Sequence, residues 1–235
     1  MNHAVPVSGL NDLSPTRRNQ VLDAISALET SDTPVSQFPA LLDPDLRRCV
    51  QQCLDESGRV LITSPQGGYT SGYADDVSDA LVKEEIGLLP AKERAVLALL
   101  LLYCVAAPRA KGRLHGQDWT EGEPLPPEQL KKRSQLPKGE VDDILRSLQQ
   151  RRLIRRTHQG VLPGPQLARL TPAASQRLWD QLVLIAAPKS AMAQIVRDKL
   201  SRGLSEGGTA LPKVTLSRSD LSDSTENENA RQDHT

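Results

Sequence analysis

The chain has 235 residues and equal numbers of basic and acidic side chains, 29 of each, so its formal net charge is zero. One Phe, two Trp and three Tyr are too few to build stacking platforms along a single nucleic-acid strand, and they leave the core to aliphatic side chains. Three cysteines (Cys49, Cys53 and Cys104) make no disulfide framework and fit a reducing, cytosolic setting. Charge is unevenly spread: residues 1–87 carry a net −7, residues 88–200 a net +9 and residues 201–235 a net −2. An acidic front and a basic back point to different partners for the two halves, or to an association between them.

In chain order, residues 1–13 are short, polar and expected to be loose. Ser14-Pro15 is a hydroxyl N-cap followed by proline at the first helical position, and Val21, Leu22, Ile25 and Leu28 give that helix its apolar stripe. Val35–Leu42 predicts a short second helix weakened by Pro39. Asp43-Pro44 repeats the cap signal, and Leu46, Cys49, Val50, Cys53 and Leu54 keep helical spacing up to Ser57-Gly58. Arg59–Thr63, the turn Pro65–Gly68 and Tyr69–Tyr73 predict a hairpin. Residues 14–74 therefore form a first winged-helix domain, and residues 75–89 a linking helix.

Pro90 opens the most apolar helix. Its segment Ala95–Ala107, about thirteen residues, is short of the about 20 that a bilayer span needs, so it is a buried central helix with no membrane role. Pro108–Leu125, rich in Gly, Pro and charge, is a loop insertion, functional or disordered. Gln129–Leu136 is helical, Pro137-Lys138-Gly139 turns, and Val141, Ile144, Leu145 and Leu148 mark one face of the next helix. Leu153–Arg156, the turn at His158–Gly160 and the return through Leu170 predict a second hairpin. Residues 90–187, closed by a helix that Thr171-Pro172 caps, form a second winged-helix domain. Residues 188–204 predict a C-terminal helix, and residues 205–235 a disordered tail too polar to bury a core. The fold class is mainly α with small β-hairpins (α+β), arranged as tandem winged helices.

Catalytic chemistry finds no foothold. His3, His115, His158 and His234 pair with no second ligand at metal spacing, and there is no phosphate-binding glycine loop and no nucleophile elbow. Neither enzyme activity nor a cofactor is expected. The candidate site is a DNA-binding one: Lys131, Lys132 and Arg133 at the end of the second helix of the back domain, and Arg151, Arg152, Arg155 and Arg156 around the start of its wing. Such a cluster can neutralise phosphates. Helix-turn-helix readers, however, put the N-terminal residues of the recognition helix on base edges. Here those are Gly139, Glu140, Asp142 and Asp143, three carboxylates facing a polyanion. The front domain's third helix is also acidic, from Asp43 and Asp45 to Asp55 and Glu56. These charges suit protein binding first and weak, sequence-independent phosphate contact second.

Several stretches resemble the KITE subunits of bacterial SMC–kleisin complexes, in particular the MukE/MksE type. Arg59-Val60-Leu61-Ile62-Thr63-Ser64-Pro65-Gln66-Gly67-Gly68-Tyr69 is similar to the first wing, and Leu88-Leu89-Pro90 with Ala95–Tyr103 to the linker and long apolar helix. Arg146–Ile154 is similar to the third helix running into the second wing, and Leu170-Thr171-Pro172-Ala173 to the wing exit. The likeness covers roughly residues 15–200. It implies a non-catalytic homodimer that binds a kleisin and, through it, an SMC ATPase. Such a subunit would be cytoplasmic and nucleoid-associated, acting in condensin-like chromosome organisation and segregation or in plasmid defence. The alternative is a winged-helix DNA-binding transcription regulator; a replication or partition initiator ranks third.

Overall fold

The structure, a computed structural model, describes residues 9–206 except 117, 187 and 190. Most of the expected loose N-terminus, and of the expected tail from 207 onward, lies outside the described residues. The described residues up to Gln194 form one compact unit, and the chain from Ile195 belongs to a second. The fold is mainly helical, with two small antiparallel hairpins. Among the described residues, no helix is long and apolar enough to cross a membrane.

The front part runs α1 (Pro15–Thr30), α2 (Pro39–Leu42), α3 (Pro44–Glu56), β1 (Arg59–Thr63) and β2 (Tyr69–Tyr73). Val21, Ala24 and Leu28 of α1 close over Leu41 of α2 and over Leu46, Cys49, Val50 and Leu54 of α3, all buried. The cysteine pair belongs to this apolar face: Cys49 is buried and Cys53 half-buried. Two local expectations differ. The Ser14 hydroxyl makes no cap hydrogen bond to α1. The helix expected from Val35 begins only at Pro39, whose fixed φ suits the first turn of a helix and not its interior. Val35 instead bridges to the hairpin, its N–H and C=O both bonded to Tyr69 at 2.8 Å.

Asp43 caps α3 as its spacing predicts. Its Oδ1 accepts from the N–H groups of Asp45 (2.8 Å) and Leu46 (3.2 Å), and Arg17 donates to Oδ2 at 3.0 Å. The backbone donors from Leu46 and Asp45, with Arg17 behind them, hold this carboxyl below its usual pKa. A depressed folded pKa stabilises above the ordinary carboxylate value of about 3.9 and is lost as pH falls through the folded value. Asp43→Ala is therefore expected to melt below wild type at neutral pH, and the gap should narrow in acid below about pH 4. Thermal melts followed by circular dichroism across pH check this; a gap of constant size would refute it.

After α4 (Asp75–Lys83) the back part begins with α5 (Ala91–Leu101), a π-helical turn over Leu102–Ala106 and α6 (Ala107–Ala110). The helix thus continues through Pro108, the point at which the loop was expected to begin. A proline in a helix interior lacks an N–H and crowds the carbonyl four residues back, here that of Cys104. The wider π turn accommodates it. The released Cys104 carbonyl accepts from the Glu123 N–H at 2.8 Å instead, which fastens the far end of the insertion onto the helix. Gly122 is required at that crossing, because a Cβ there would lie 2.9 Å from the Cys104 oxygen. The Cys104 thiol is buried against the Val161 carbonyl, and burial pushes its pKa up to about 12.

Next come α7 (Pro127–Ser134), α8 (Lys138–Gln150), β3 (Ile154–Thr157) and β4 (Gly160–Pro163), followed by a 3-10 turn (Pro165–Arg169), α9 (Pro172–Ala186) and α10 (Ala191–Glu206). The predicted stripe of α8, Val141, Ile144, Leu145 and Leu148, is buried against Val96 and Leu100 of α5 and Leu130 of α7. Thr171 caps α9, its hydroxyl accepting from the Ala174 N–H at 3.0 Å. The C-terminal helix starts and ends slightly later than the expected 188–204.

Front and back parts meet at a polar joint built on Arg169. Its Nη1 donates to the Ser71 carbonyl (3.0 Å) and hydroxyl (3.1 Å), and its Nη2 to the carbonyls of Glu29 and Ser31, both at 3.0 Å. Burial pulls its pKa down, but a guanidinium stays charged at neutral pH. Gly72 lets the chains touch here: a Cβ on it would sit 2.2 Å from the Arg169 carbonyl oxygen. Beside the joint, Ile62, Ser64, Trp119, Leu170 and Ser175 line a cleft of about 120 Å³, below the roughly 300 Å³ at which small-molecule pockets begin.

Candidate functional site

The seven candidate cations sit at the ends of α7 and α8 and on β3. The geometry of the turns sets their direction. α7 ends with Gln135 in the left-handed region at φ 55°. α8 ends with Arg152 at φ 57°, and the N–H groups of Arg152 and Leu153 close back on the carbonyls of Gln149 and Leu148. This is a Schellman termination with arginine in the place usually taken by glycine.

Their side chains spread over different partners. Lys131 donates to Glu128 and to Asp142, both at 3.1 Å, and only 13% of its side chain is exposed. Those carboxylates raise its pKa and hold it charged. Arg133 lies over the Tyr103 ring, 4.1 Å from its centroid, in a cation–π contact. Arg151 faces Glu93 on α5 at 3.8 Å. Arg152 pairs with Asp32 of the front part at 2.7 Å. Arg155 reaches the Thr120 carbonyl of the insertion at 3.4 Å. Among the described residues, Lys132 and Arg156 are the two of the seven with no hydrogen-bond, ion-pair or ring partner, and both are exposed.

The acidic start of α8 is occupied as well. Glu140 is bonded by Lys92, Asp142 by Lys131 at 3.1 Å, and Asp143 by Arg146 at 2.7 Å. α5 supplies more of this contact: Ser147 donates to Glu93 at 2.9 Å. The base-reading end of the helix is thus tied by ion pairs to α5, to α7 and to its own next turn. Reading a base edge there would require breaking pairs as well as approaching phosphates with carboxylates.

The described residues of the insertion form a strap across the back part. Trp119 is 3% exposed and donates from Nε1 to the Ser175 hydroxyl on α9 at 2.6 Å. Arg109 covers its ring at 5.2 Å, and Trp179 meets it at 6.3 Å with the planes tilted by 57°. From the front hairpin turn, Gln66 donates to Asp118 (2.7 Å) and Glu121 (3.1 Å). Neither Trp119 nor Arg169 stands out among the predicted site residues. A lone tryptophan within a polar stretch was the available sign for the first. Arg169 carries no such sign, since its partners lie about a hundred or more positions away in sequence.

No protein-family model matches the chain, and no curated protein matches it. Among solved structures, the chain is similar to ScpB from Mycobacterium tuberculosis, at 17% identity over 65% of this chain and 92% of that one, with a TM-score of 0.21.

Proposed function

We propose that this chain is a non-catalytic accessory subunit of an SMC–kleisin complex, a KITE-type tandem winged-helix protein that dimerises and binds the kleisin. Its DNA contact is weak and independent of sequence. The observation that carries this is the acidic N-terminal end of the third helix in both helix–helix–helix–hairpin runs. In the front run Asp43 is the cap and Asp45 follows. In the back run Glu140, Asp142 and Asp143 are held in ion pairs. Helices so placed are poor base readers, which favours a protein-binding role over a DNA-reading one, and the sequence likeness to MukE/MksE-type subunits supplies the class of partner. The chain acts with an SMC ATPase in the cytoplasm, at the nucleoid, without hydrolysing ATP itself.

The test is affinity purification of the tagged full chain from its own cells at moderate salt. A kleisin and a long coiled-coil ATPase are expected to co-elute in fixed ratio. Elution of the chain alone, or with neither of these, would contradict the proposal. The transcription-regulator reading rests on the basic cluster of the back part, and predicts salt-dependent binding to one operator that is lost on replacing Arg155 and Arg156.

A further inference from the structure

We infer that α4 and the turn after it form a docking surface for a protein segment that is apolar on one face and flanked by lysine or arginine. α4 contains no fully buried residue. It is anchored at its start: Val77 packs under Gly58, where an added Cβ would come within 3.0 Å of its methyl, and Asp75 accepts from Thr171 (2.8 Å) and Arg177 (2.9 Å). Apolar side chains reach solvent at its far end and after it, with Val82 42%, Ile86 58% and Leu88 38% exposed. The turn brings Ile86 back to the end of the helix that carries Val82. The Ile86 N–H bonds the Leu81 carbonyl at 2.9 Å and the Glu85 N–H bonds that of Val82 at 3.1 Å, folding Ile86 back against the end of the helix.

Glu85 occupies the left-handed position of this turn at φ 57°, where glycine is the unstrained choice. Asp79 stands 3.7 Å from Arg177. Among the described residues, the side chains of Asp76, Glu84 and Glu85 have no hydrogen-bond or ion-pair partner and are exposed, with Lys83 the one cation in the last turn of the helix.

An apolar centre with a charged rim is the anatomy of a protein interface. The sign of the rim selects the occupant. A second copy docking by the same patch would set Asp76, Glu84 and Glu85 against their own equivalents, since a two-fold interface is self-facing. Nucleic acid and anionic lipid are repelled for the same reason. A segment with leucine-type residues at helical spacing and basic flanks satisfies both centre and rim. This surface does not depend on the SMC–kleisin reading, since it follows from exposure and charge alone.

The probe is a fluorescein-labelled synthetic amphipathic peptide with leucines at i, i+3, i+4 and i+7 flanked by lysines, titrated with the full chain by anisotropy. The control is the same peptide with glutamates for lysines. Wild type is expected to bind the lysine peptide at least about ten-fold more tightly than the glutamate peptide. Val82→Asp with Ile86→Asp, both exposed, should lower that affinity about ten-fold or more with unchanged melting temperature. Glu84→Lys with Glu85→Lys should reverse the peptide preference without touching the apolar centre. Equal binding of both peptides, or unchanged binding by both variants, would overturn the inference. So would sedimentation showing a wild-type dimer that Ile86→Asp dissociates, because the face would then belong to a second copy.

Discussion

Replacing Arg169 with alanine is expected to lower the unfolding free energy by about 3 kcal/mol, the scale for losing charge-assisted hydrogen bonds that are half-buried. The guanidinium spans four acceptors from two places in the front part: the Ser71 carbonyl and hydroxyl on β2, and the Glu29 and Ser31 carbonyls at the end of α1. Without it, three backbone carbonyls lose a donor at the joint. Arg169→Lys keeps the charge but replaces a planar fork with a point donor, so it should recover only part of the loss. Gly72→Ala attacks the same joint from the other side, forcing β2 from the Arg169 carbonyl. Chemical denaturation of the two single variants and the double variant checks this. The double variant should be less destabilised than the sum, because the first change already opens what the second would push apart. Strict additivity would show that Arg169 does not hold the joint.

Trp119→Ala is expected to cost about 4 kcal/mol, within the range for truncating a buried tryptophan. The indole fills the space between the insertion and α9, and the Ser175 hydroxyl loses its donor. Trp119→Phe keeps most of the apolar filling and leaves that hydroxyl unpaired, so a smaller loss, of about 1–2 kcal/mol, should follow. Hydrogen exchange separates the local effect from the global one. The Glu123 amide, bonded to the Cys104 carbonyl at 2.8 Å, should exchange faster in Trp119→Ala well before α8 does. Equal acceleration in both places would mean that the strap is not an independent element.

Much of the local structure was legible because it is written in neighbouring residues. The spacing of Val141, Ile144, Leu145 and Leu148 identified the buried face of α8, and both hairpins turn at the predicted Gly-containing places, but the second return strand, expected to run through Leu170, ends at Pro163 and gives way to a 3-10 turn that Pro165 opens. Pro39 and Pro108 misled in opposite directions. The first starts a helix that was expected to precede it, and the second is absorbed by a π turn where a stop was expected. The difference lies in what each backbone does with the carbonyl four residues back, and the sequence does not record that. The candidate site shows the same limit. Of seven cations clustered in sequence, five separate onto Glu128, Asp142, Tyr103, Glu93, Asp32 and Thr120, because partners from distant segments compete for them. The carboxylates of α8 were legible as charges, and their engagement with Lys92, Lys131 and Arg146 was not.

A protein scaffold with only two unengaged cations at its candidate site makes a quantitative statement about DNA. The measurement is equilibrium binding of the full chain to two duplexes of unrelated sequence, repeated over a range of salt concentrations. Lys132 and Arg156 alone give a slope of log K against log salt near about −2, with equal and weak affinity for both duplexes. A preference for one duplex of about 10³ or more, with a slope of about −6 or steeper, would contradict the account. It would mean that the ion pairs at the start of α8 open for a base-reading helix.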